Sequence, residues 1–419
     1  MKQAHVVVFG WGVAGLHCVQ KLSRGSFTEL RITLVDMSDV HVLKADLYEV
    51  ATAYNKKITD ECMVRLKRTV ATPLMSLVDP NKVTFLQDTV LGIDPKKKTV
   101  RLKKNKNLSY DYLVVALGSV TNFFNVPGIE EHAFPLKTVQ DALAVNCHLD
   151  QLFHELWKKG KREAIRITIG GGGPTGVEMA GELYSSLRKL CDKYNYPRQK
   201  IHVQLIQSGQ DLGGMDSKGT ERVLARLEEL GVCVYRGYRI KKVTATEVLM
   251  SDTKNRSKKL QSSMMIWTAG VRVPDIVAKT LGDAKKGGAI MVNSHLQMPQ
   301  YPTIFAAGDC AFVEDPEHAG TRLPMLAHVA WEEGNFVAAN ILSALYRVPL
   351  QDYKPRREWM ILPIGGKYAF FKVGPFLFSG FLAWLLRRLV ILRYHNSVMP
   401  TARAMHKWWY GGKLFEQND

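Results

Sequence analysis

Val6-Val7-Val8-Phe9-Gly10-Trp11-Gly12-Val13-Ala14-Gly15-Leu16 is the stretch from which the fold can be read. A β-branched apolar run leads straight into Gly-x-Gly-x-x-Gly, and a helical pattern follows. Gly10 permits a tight turn, Gly12 lets the backbone approach a pyrophosphate, and Gly15 lets the helix pack close to the strand. Val13 and Ala14 open that helix, whose unpaired N–H groups and partial positive charge suit phosphates. Alone, such a turn is weakly specific. Asp36 strengthens it, because it closes the next strand, Ile32-Thr33-Leu34-Val35-Asp36, where a carboxylate accepts hydrogen bonds from ribose hydroxyls.

The same grammar recurs in Ile167-Thr168-Ile169-Gly170-Gly171-Gly172-Gly173-Pro174-Thr175-Gly176-Val177-Glu178. Gly171, Gly173 and Gly176 take the three glycine roles. Pro174, with Thr175 beside it, fits a first helical turn, where its missing N–H would be unpaired anyway. Glu178 and Glu182 lie four apart on one helix face, either as reactive carboxylates or as helix-dipole partners. The following strand ends at Gln207, where a carboxylate would select NADH by bonding both ribose hydroxyls and repelling a 2′-phosphate. Gln207 repels nothing, and no Arg follows immediately to grip a 2′-phosphate. NADH is favoured by default and NADPH stays open.

Two nucleotide-binding units in one chain imply two dinucleotides held face to face. Tyr110-Asp111-Tyr112-Leu113-Val114-Val115-Ala116-Leu117-Gly118-Ser119 reads as a strand ending in a small-residue turn. Thr303-Ile304-Phe305-Ala306-Ala307-Gly308-Asp309-Cys310-Ala311 reads likewise, with Asp309 at an expected helix start. There Asp309 is either a plain N-cap or the holder of a flavin ribityl hydroxyl, with the helix dipole facing the flavin. Beside the first turn, the flavin role is preferred, so FAD is the expected resident cofactor.

The remaining chain agrees with an α/β architecture. Short β-branched runs at 4–9, 31–35, 83–86, 112–116, 165–169, 202–206 and 264–267 alternate with helical patterns, which implies parallel sheets. The Lys-dense segments 94–106 and 251–259 read as solvated hairpins. A length of 419 residues suits two or three domains, and 46% apolar with 23% charged residues is globular composition. Six scattered cysteines contain no Cys-x-x-Cys, which argues against zinc, a redox dithiol or a disulfide framework, and no metal is expected. The N-terminus runs directly into the first strand without a signal-peptide pattern, so residence on the cytoplasmic side is expected.

On these residues the chain resembles the type II NADH:quinone oxidoreductases, single-subunit flavoproteins of respiratory membranes that do not pump protons. The likeness covers nearly the whole length. Its motifs are Leu47-Tyr48-Glu49-Val50-Ala51 after the second strand, Ala116-Leu117-Gly118, the second glycine turn from Gly171 to Glu178, Trp267-Thr268-Ala269-Gly270-Val271 and Ala307-Gly308-Asp309-Cys310. The resemblance implies FAD, NADH, a quinone acceptor, a frequent homodimer and attachment to one membrane leaflet through the C-terminal part. It assigns the helix glutamate near nicotinamide and quinone to Glu178. Lys44, Val90, Ala116, Gly118, Asp309, Ala327 and His328 join the first-turn residues as candidate FAD contacts, and Gln207 and Gly270 join the second turn. Domains are expected at 1–145 and 276–352 for FAD, 146–275 for the nicotinamide nucleotide, and 353–419 as a membrane-associating region.

The family carries Ala-Gln-x-Ala-x-Gln where quinone meets flavin, whereas this chain reads Ala327-His328-Val329-Ala330-Trp331-Glu332. His328 and Glu332 share a helix face, and either serve the acceptor or pair with each other. Sulfide:quinone and disulfide reductases of the same fold need cysteines near the flavin, and no suitable pair is visible. The alternatives are a non-respiratory FAD-dependent NAD(P)H oxidoreductase with another acceptor and, from another class, a flavin-based redox sensor or nucleic-acid-binding protein of this fold.

The 374–386 run, followed by Arg387-Arg388, is too short to cross a bilayer and suits a helix lying in the headgroup plane. Lys407, Trp408 and Trp409 add an interfacial signature. Lys and Arg exceed Asp and Glu by 57 to 39, a formal +18, which calls for an anionic neighbour. This tail favours lipid over nucleic acid, on the cytoplasmic face of the membrane, although a second copy of the chain would use part of the same surface.

Overall fold

The computed structural model describes residues 3–25, 30–356 and 359–416. They form two compact units. One comprises Met1–Val42, Thr72–Val120 and Val271–Arg356; the other comprises Leu43–Ala71, Thr121–Gly270 and Arg357–Asp419.

The first unit is organised by a six-stranded sheet. Its order is Gln297–Met298, Tyr301–Ala306, Tyr112–Val115, Ala4–Phe9, Leu30–Asp36, Val83–Gln87. All neighbours pair parallel except the Gln297–Met298 edge. Val6 to Phe9 are wholly buried, which explains why this strand is continuously apolar rather than alternating: a parallel sheet is covered on both faces. Helices Val13–Ser23 and Ala327–Leu345 pack on one another. The Lys-rich 94–106 segment is the antiparallel meander Val90–Asp94, Thr99–Leu102, Leu108–Ser109.

In the second unit five strands pair parallel in the order Ala133–Pro135, Met264–Trp267, Ile165–Gly170, Ile201–Gln207, Val232–Arg236. Helix Val139–Lys158 begins with a capping box, in which the Thr138 hydroxyl accepts from the Asp141 N–H at 3.1 Å and the Asp141 carboxylate accepts from the Thr138 N–H at 2.8 Å. The 43–71 segment was expected in the first domain by chain order. It packs here instead, with helix Leu47–Thr52 against helices Val139–Lys158 and Pro174–Lys193.

Two further sequence expectations change. A single 3₁₀ turn, Gly308–Cys310, carries Asp309, and the long helix starts only at Ala327, so no long-helix dipole begins at Asp309. The tail is not helical from its start either. Phe376–Gly380 is the last strand of an antiparallel sheet with Trp359–Pro363 and Ala369–Val373. Gly374 and Gly380, at φ +54° and +108°, bracket that strand, and helix Phe381–Val398 begins after it, followed by helix Thr401–Phe415. Among the described residues, no helix is long and apolar enough to cross a membrane.

Candidate functional site

Both glycine turns have the geometry a pyrophosphate needs. Gly10 sits at φ +81°, and its N–H donates to the Val35 carbonyl at 3.0 Å. A Cβ on Gly15 would lie 1.8 Å from the Gly10 carbonyl oxygen, so helix and strand touch there. Gly171, at φ +106°, and Gly176, whose Cβ would lie 1.8 Å from the Gly171 oxygen, repeat the arrangement. The middle glycines differ: a Cβ on Gly12 or Gly173 would meet nothing within 4 Å. They front open space, and neither helix start has a side-chain cap. By contrast, Thr59, Thr138 and Asp216 cap their helices with side-chain oxygens. Uncapped N–H groups facing an open cradle fit phosphate oxygens.

These observations make a sharp test. Gly12→Ala and Gly173→Ala are expected to fold normally while weakening FAD and nicotinamide nucleotide, respectively, by about tenfold or more, since one methyl group enters the phosphate's space. Flavin absorbance per protein after gel filtration and dinucleotide titration measure the two losses.

Around the first turn, the Asp36 carboxylate accepts from the Trp11 N–H at 3.1 Å and the Ser38 N–H at 2.8 Å, which fixes it at the strand end beside the glycine turn. Ala116 is buried beside the turn, its N–H donating to the Phe9 carbonyl at 2.8 Å. Gly118, at φ +67°, also fronts open space. The Ser119 hydroxyl donates to the Asp309 carboxylate, and Arg322 donates to the Asp309 carbonyl at 3.0 Å. Val13 and Ala14 open the helix; Val90 is buried at a strand start, and Ala327 is exposed as the first residue of the long helix. Lys44 is exposed and belongs to the second unit, in the turn Lys44–Asp46.

Glu333, not its neighbour, is the buried carboxyl of the Ala327–Leu345 helix. It accepts from the Gly308 N–H at 2.6 Å, and burial pushes its pKa up to about 8. Glu332 is ion-paired to Arg356 at 3.5 Å. His328 is half-buried, and burial lowers its pKa, which keeps the ring neutral. The sequence did hold a signal for Glu333: it lies four residues before Val337 and eight before Ile341, both buried.

In the second unit, the Gln207 side chain accepts from the Gly172 N–H at 3.0 Å and donates to the Asp211 carbonyl at 3.0 Å. A cavity of about 560 Å³ runs from Gly171 and Ala269 to Gln207 at the carboxyl ends of the strands. Thr175 is exposed at the helix start beside Pro174, and Gly270 abuts the Phe124 ring. Four residues into the same helix, the Glu178 carboxyl is desolvated, which raises its pKa to about 8, with Asp46 and Glu49 adding to the rise and Arg387 opposing it.

Arg387 corrects the reading of the tail. Expected with the rest of the tail in the headgroup plane, it is buried instead, donating to Asp46 at 2.7 Å and Glu49 at 2.9 Å, with its guanidinium over the Tyr48 ring. The Tyr48 hydroxyl donates to Glu49 at 3.1 Å. Lys407 also turns inward, donating to the carbonyls of Arg68 and Ala71 at 3.1 and 2.8 Å, and burial lowers its pKa to about 8. Trp408 donates its indole N–H to the Arg388 carbonyl at 2.6 Å, while Trp409 is exposed. All six cysteines are free thiols, and burial pushes Cys18 and Cys310 up to about 12, far from nucleophilic. Among the described residues no His, Cys, Asp and Glu cluster could hold a metal ion.

The pyridine nucleotide-disulphide oxidoreductase family matches residues 4–334. A type II NADH:quinone oxidoreductase of Staphylococcus aureus is 30% identical over 349 residues, covering 80% of this chain and 81% of that protein. The chain belongs to the type II NADH:quinone oxidoreductases. As a member of this family it is an oxidoreductase. In the solved structures, NDH2 of Plasmodium falciparum in complex with NADH superposes with a TM-score of 0.83 at 16% identity, covering 100% of this chain and 97% of that one. The sulfide:quinone oxidoreductase of Aquifex aeolicus follows at 0.77 and 21%, covering 99% and 92%. At those identities the two structures speak for the shared fold, which for this type II family member extends through the C-terminal strands and helices.

Proposed function

We propose that this chain is a membrane-associated FAD-dependent NAD(P)H:quinone oxidoreductase, which passes hydride from the nicotinamide to FAD and two electrons on to a quinone without pumping protons. The observation that carries this reading is the pair of uncapped glycine turns, each with an open cradle before its middle glycine. Segments 1–145 and 276–352 are assigned to FAD, although 43–71 and 121–145 pack in the second unit, and 146–275 to the nicotinamide nucleotide. Gly10, Gly12, Val13, Ala14, Gly15 and Asp36 would hold the pyrophosphate and ribose of FAD. Lys44, Val90, Ala116, Gly118, Asp309, Ala327 and His328 would complete its contacts. When bound, FAD supplies a two-electron centre that accepts hydride and returns electrons to an acceptor.

The chain's own residues orient the reactants and manage protons. Gly171, Gly173, Pro174, Thr175, Gly176, Gln207 and Gly270 would bind the nicotinamide nucleotide. Quinone reduction consumes protons, and Glu178, held protonated near neutral pH, donates one. His328, neutral and half-buried, offers a hydrogen bond to a quinone carbonyl, and Glu332 orients that helix face through Arg356. Turnover of NADH with a soluble quinone tests the reading. Many turnovers per flavin support it, and a single reduction event per flavin overturns it in favour of a redox sensor.

Attachment to an anionic lipid surface is supported by the tail. Phe376, Phe381, Leu382, Leu385, Leu386, Leu389 and Trp409 are exposed on the C-terminal strand and helices. The cytoplasmic leaflet and a homodimer complete the proposal. Burying two leucines in a lipid interface is strongly favourable, so Leu382→Glu with Leu386→Glu is expected to weaken cosedimentation with anionic vesicles at least about tenfold. NADH oxidation with a soluble quinone reports whether the doubly substituted protein is folded.

A further inference from the structure

We infer that the second unit carries a 2′-phosphate subsite, built by Arg239 and Lys241 beside Gln207, through which the enzyme takes NADPH as well as NADH. The inference rests on the dinucleotide reading of the second glycine turn. It adds which nucleotide that turn's pocket admits.

The cavity lined by Gly171 is lined also by Gln207, Ser208, Tyr238, Arg239 and Lys241. Its charged lining residues are these two cations; no carboxylate lines it among the described residues. Enzymes of this architecture that reject NADPH place an acid at the end of the second strand, where it bonds the ribose hydroxyls and repels a phosphate. Here that position is Gln207, neutral and already engaged by the Gly172 N–H and the Asp211 carbonyl. The repulsive element is therefore missing, and specificity against a larger anionic ligand needs such an element.

The attractive element comes from farther along the chain. No Arg follows Gln207 directly, but the chain returns through strand Val232–Arg236, which pairs parallel with Ile201–Gln207 and brings Gln207 level with Arg236. Arg236 is committed to Glu221 at 3.0 Å and to the Gln210 carbonyl. Three residues later, Arg239 opens the strand Arg239–Val243 and lines the cavity. Neither Arg239 nor Lys241 has an ion-pair partner among the described residues, and both are exposed. A planar guanidinium and a flexible ammonium suit bidentate and point-charge contacts to a phosphate dianion.

The test compares two soluble fragments of the dinucleotide, adenosine 2′,5′-bisphosphate and 5′-AMP, by calorimetry on the flavin-loaded protein. The readout is the ratio of their affinities, with stopped-flow flavin reduction by NADPH and by NADH as the kinetic counterpart. The wild type is expected to bind the bisphosphate at least as tightly as 5′-AMP. Arg239→Ala and Lys241→Ala are each expected to reduce the ratio about tenfold, and higher salt to reduce it further. A ratio unchanged in both variants, or a wild type that binds 5′-AMP and not the bisphosphate, overturns the subsite while leaving the NADH reading intact. Failure of both fragments and of NADH to engage overturns the dinucleotide reading itself.

Discussion

Glu178→Gln is expected to slow quinone reduction about a hundredfold with FAD still bound, since a positioned proton donor typically contributes at least that much. Glutamine keeps the size and hydrogen bonding of the side chain and removes its transferable proton. The pH dependence separates this role from a structural one. With its pKa raised to about 8, Glu178 is protonated at neutral pH and ionises above about 8. Wild-type quinone reduction should therefore decline as pH rises through about 8, and the glutamine variant should lack that limb. Stability follows the same titration. A carboxyl whose folded pKa lies above its unfolded value contributes stability that is complete below the ordinary carboxyl range and lost as pH rises through about 8. The variant, which cannot ionise, should therefore lose less melting temperature than the wild type between pH 7 and 9. A turnover equal to wild type at pH 7 would remove Glu178 from the proton path.

The second large effect is on stability. Arg387→Ala is expected to destabilise the protein by about 3–5 kcal/mol, because it leaves two buried carboxylates without their cation. Arg387, Asp46 and Glu49 have side-chain exposures of 8%, 9% and 14%, and one guanidinium bridges both acids. Burial raises the Glu49 pKa while Arg387 holds it down. Without the cation Glu49 moves further up and is neutralised more readily, so the deficit should be smaller near pH 5 than near pH 8. Arg387→Lys keeps the charge but loses the bridging fork and should be intermediate. Urea midpoints across that pH range measure all three proteins. Equal midpoints for wild type and Arg387→Ala at pH 8 would show that the cluster contributes no net stability. Arg387 also opposes the rise at Glu178, so in Arg387→Lys the pH limb of quinone reduction should stay near wild type.

Much of the site was legible because it is local. Both glycine turns, Asp36 and Gln207 each lie within a few residues of a strand end, and strand alternation or continuity reports burial directly. The strands at 4–9 and 264–267 were read to the residue for that reason. The tail was harder. An apolar run of the same composition reads as strand or helix until its glycines are known to take positive φ, and Gly374 and Gly380 do so. Glu333 was hidden by its neighbour, since two adjacent glutamates differ only in which helix face they share with Val337 and Ile341.

From its sequence alone, this protein already had two dinucleotide turns, a doubled α/β architecture and an apolar, cationic tail. Those features are periodic or contiguous, so the chain expresses them without long-range contacts. Tertiary structure decided where the charges go. Arg387 lies 338 residues from Glu49 and 341 from Asp46 along the chain, yet it is inside with them rather than at a lipid surface. No periodicity encodes such a pairing. A buried cation is tolerable only where acids of distant segments converge, and that convergence exists only after the chain has folded.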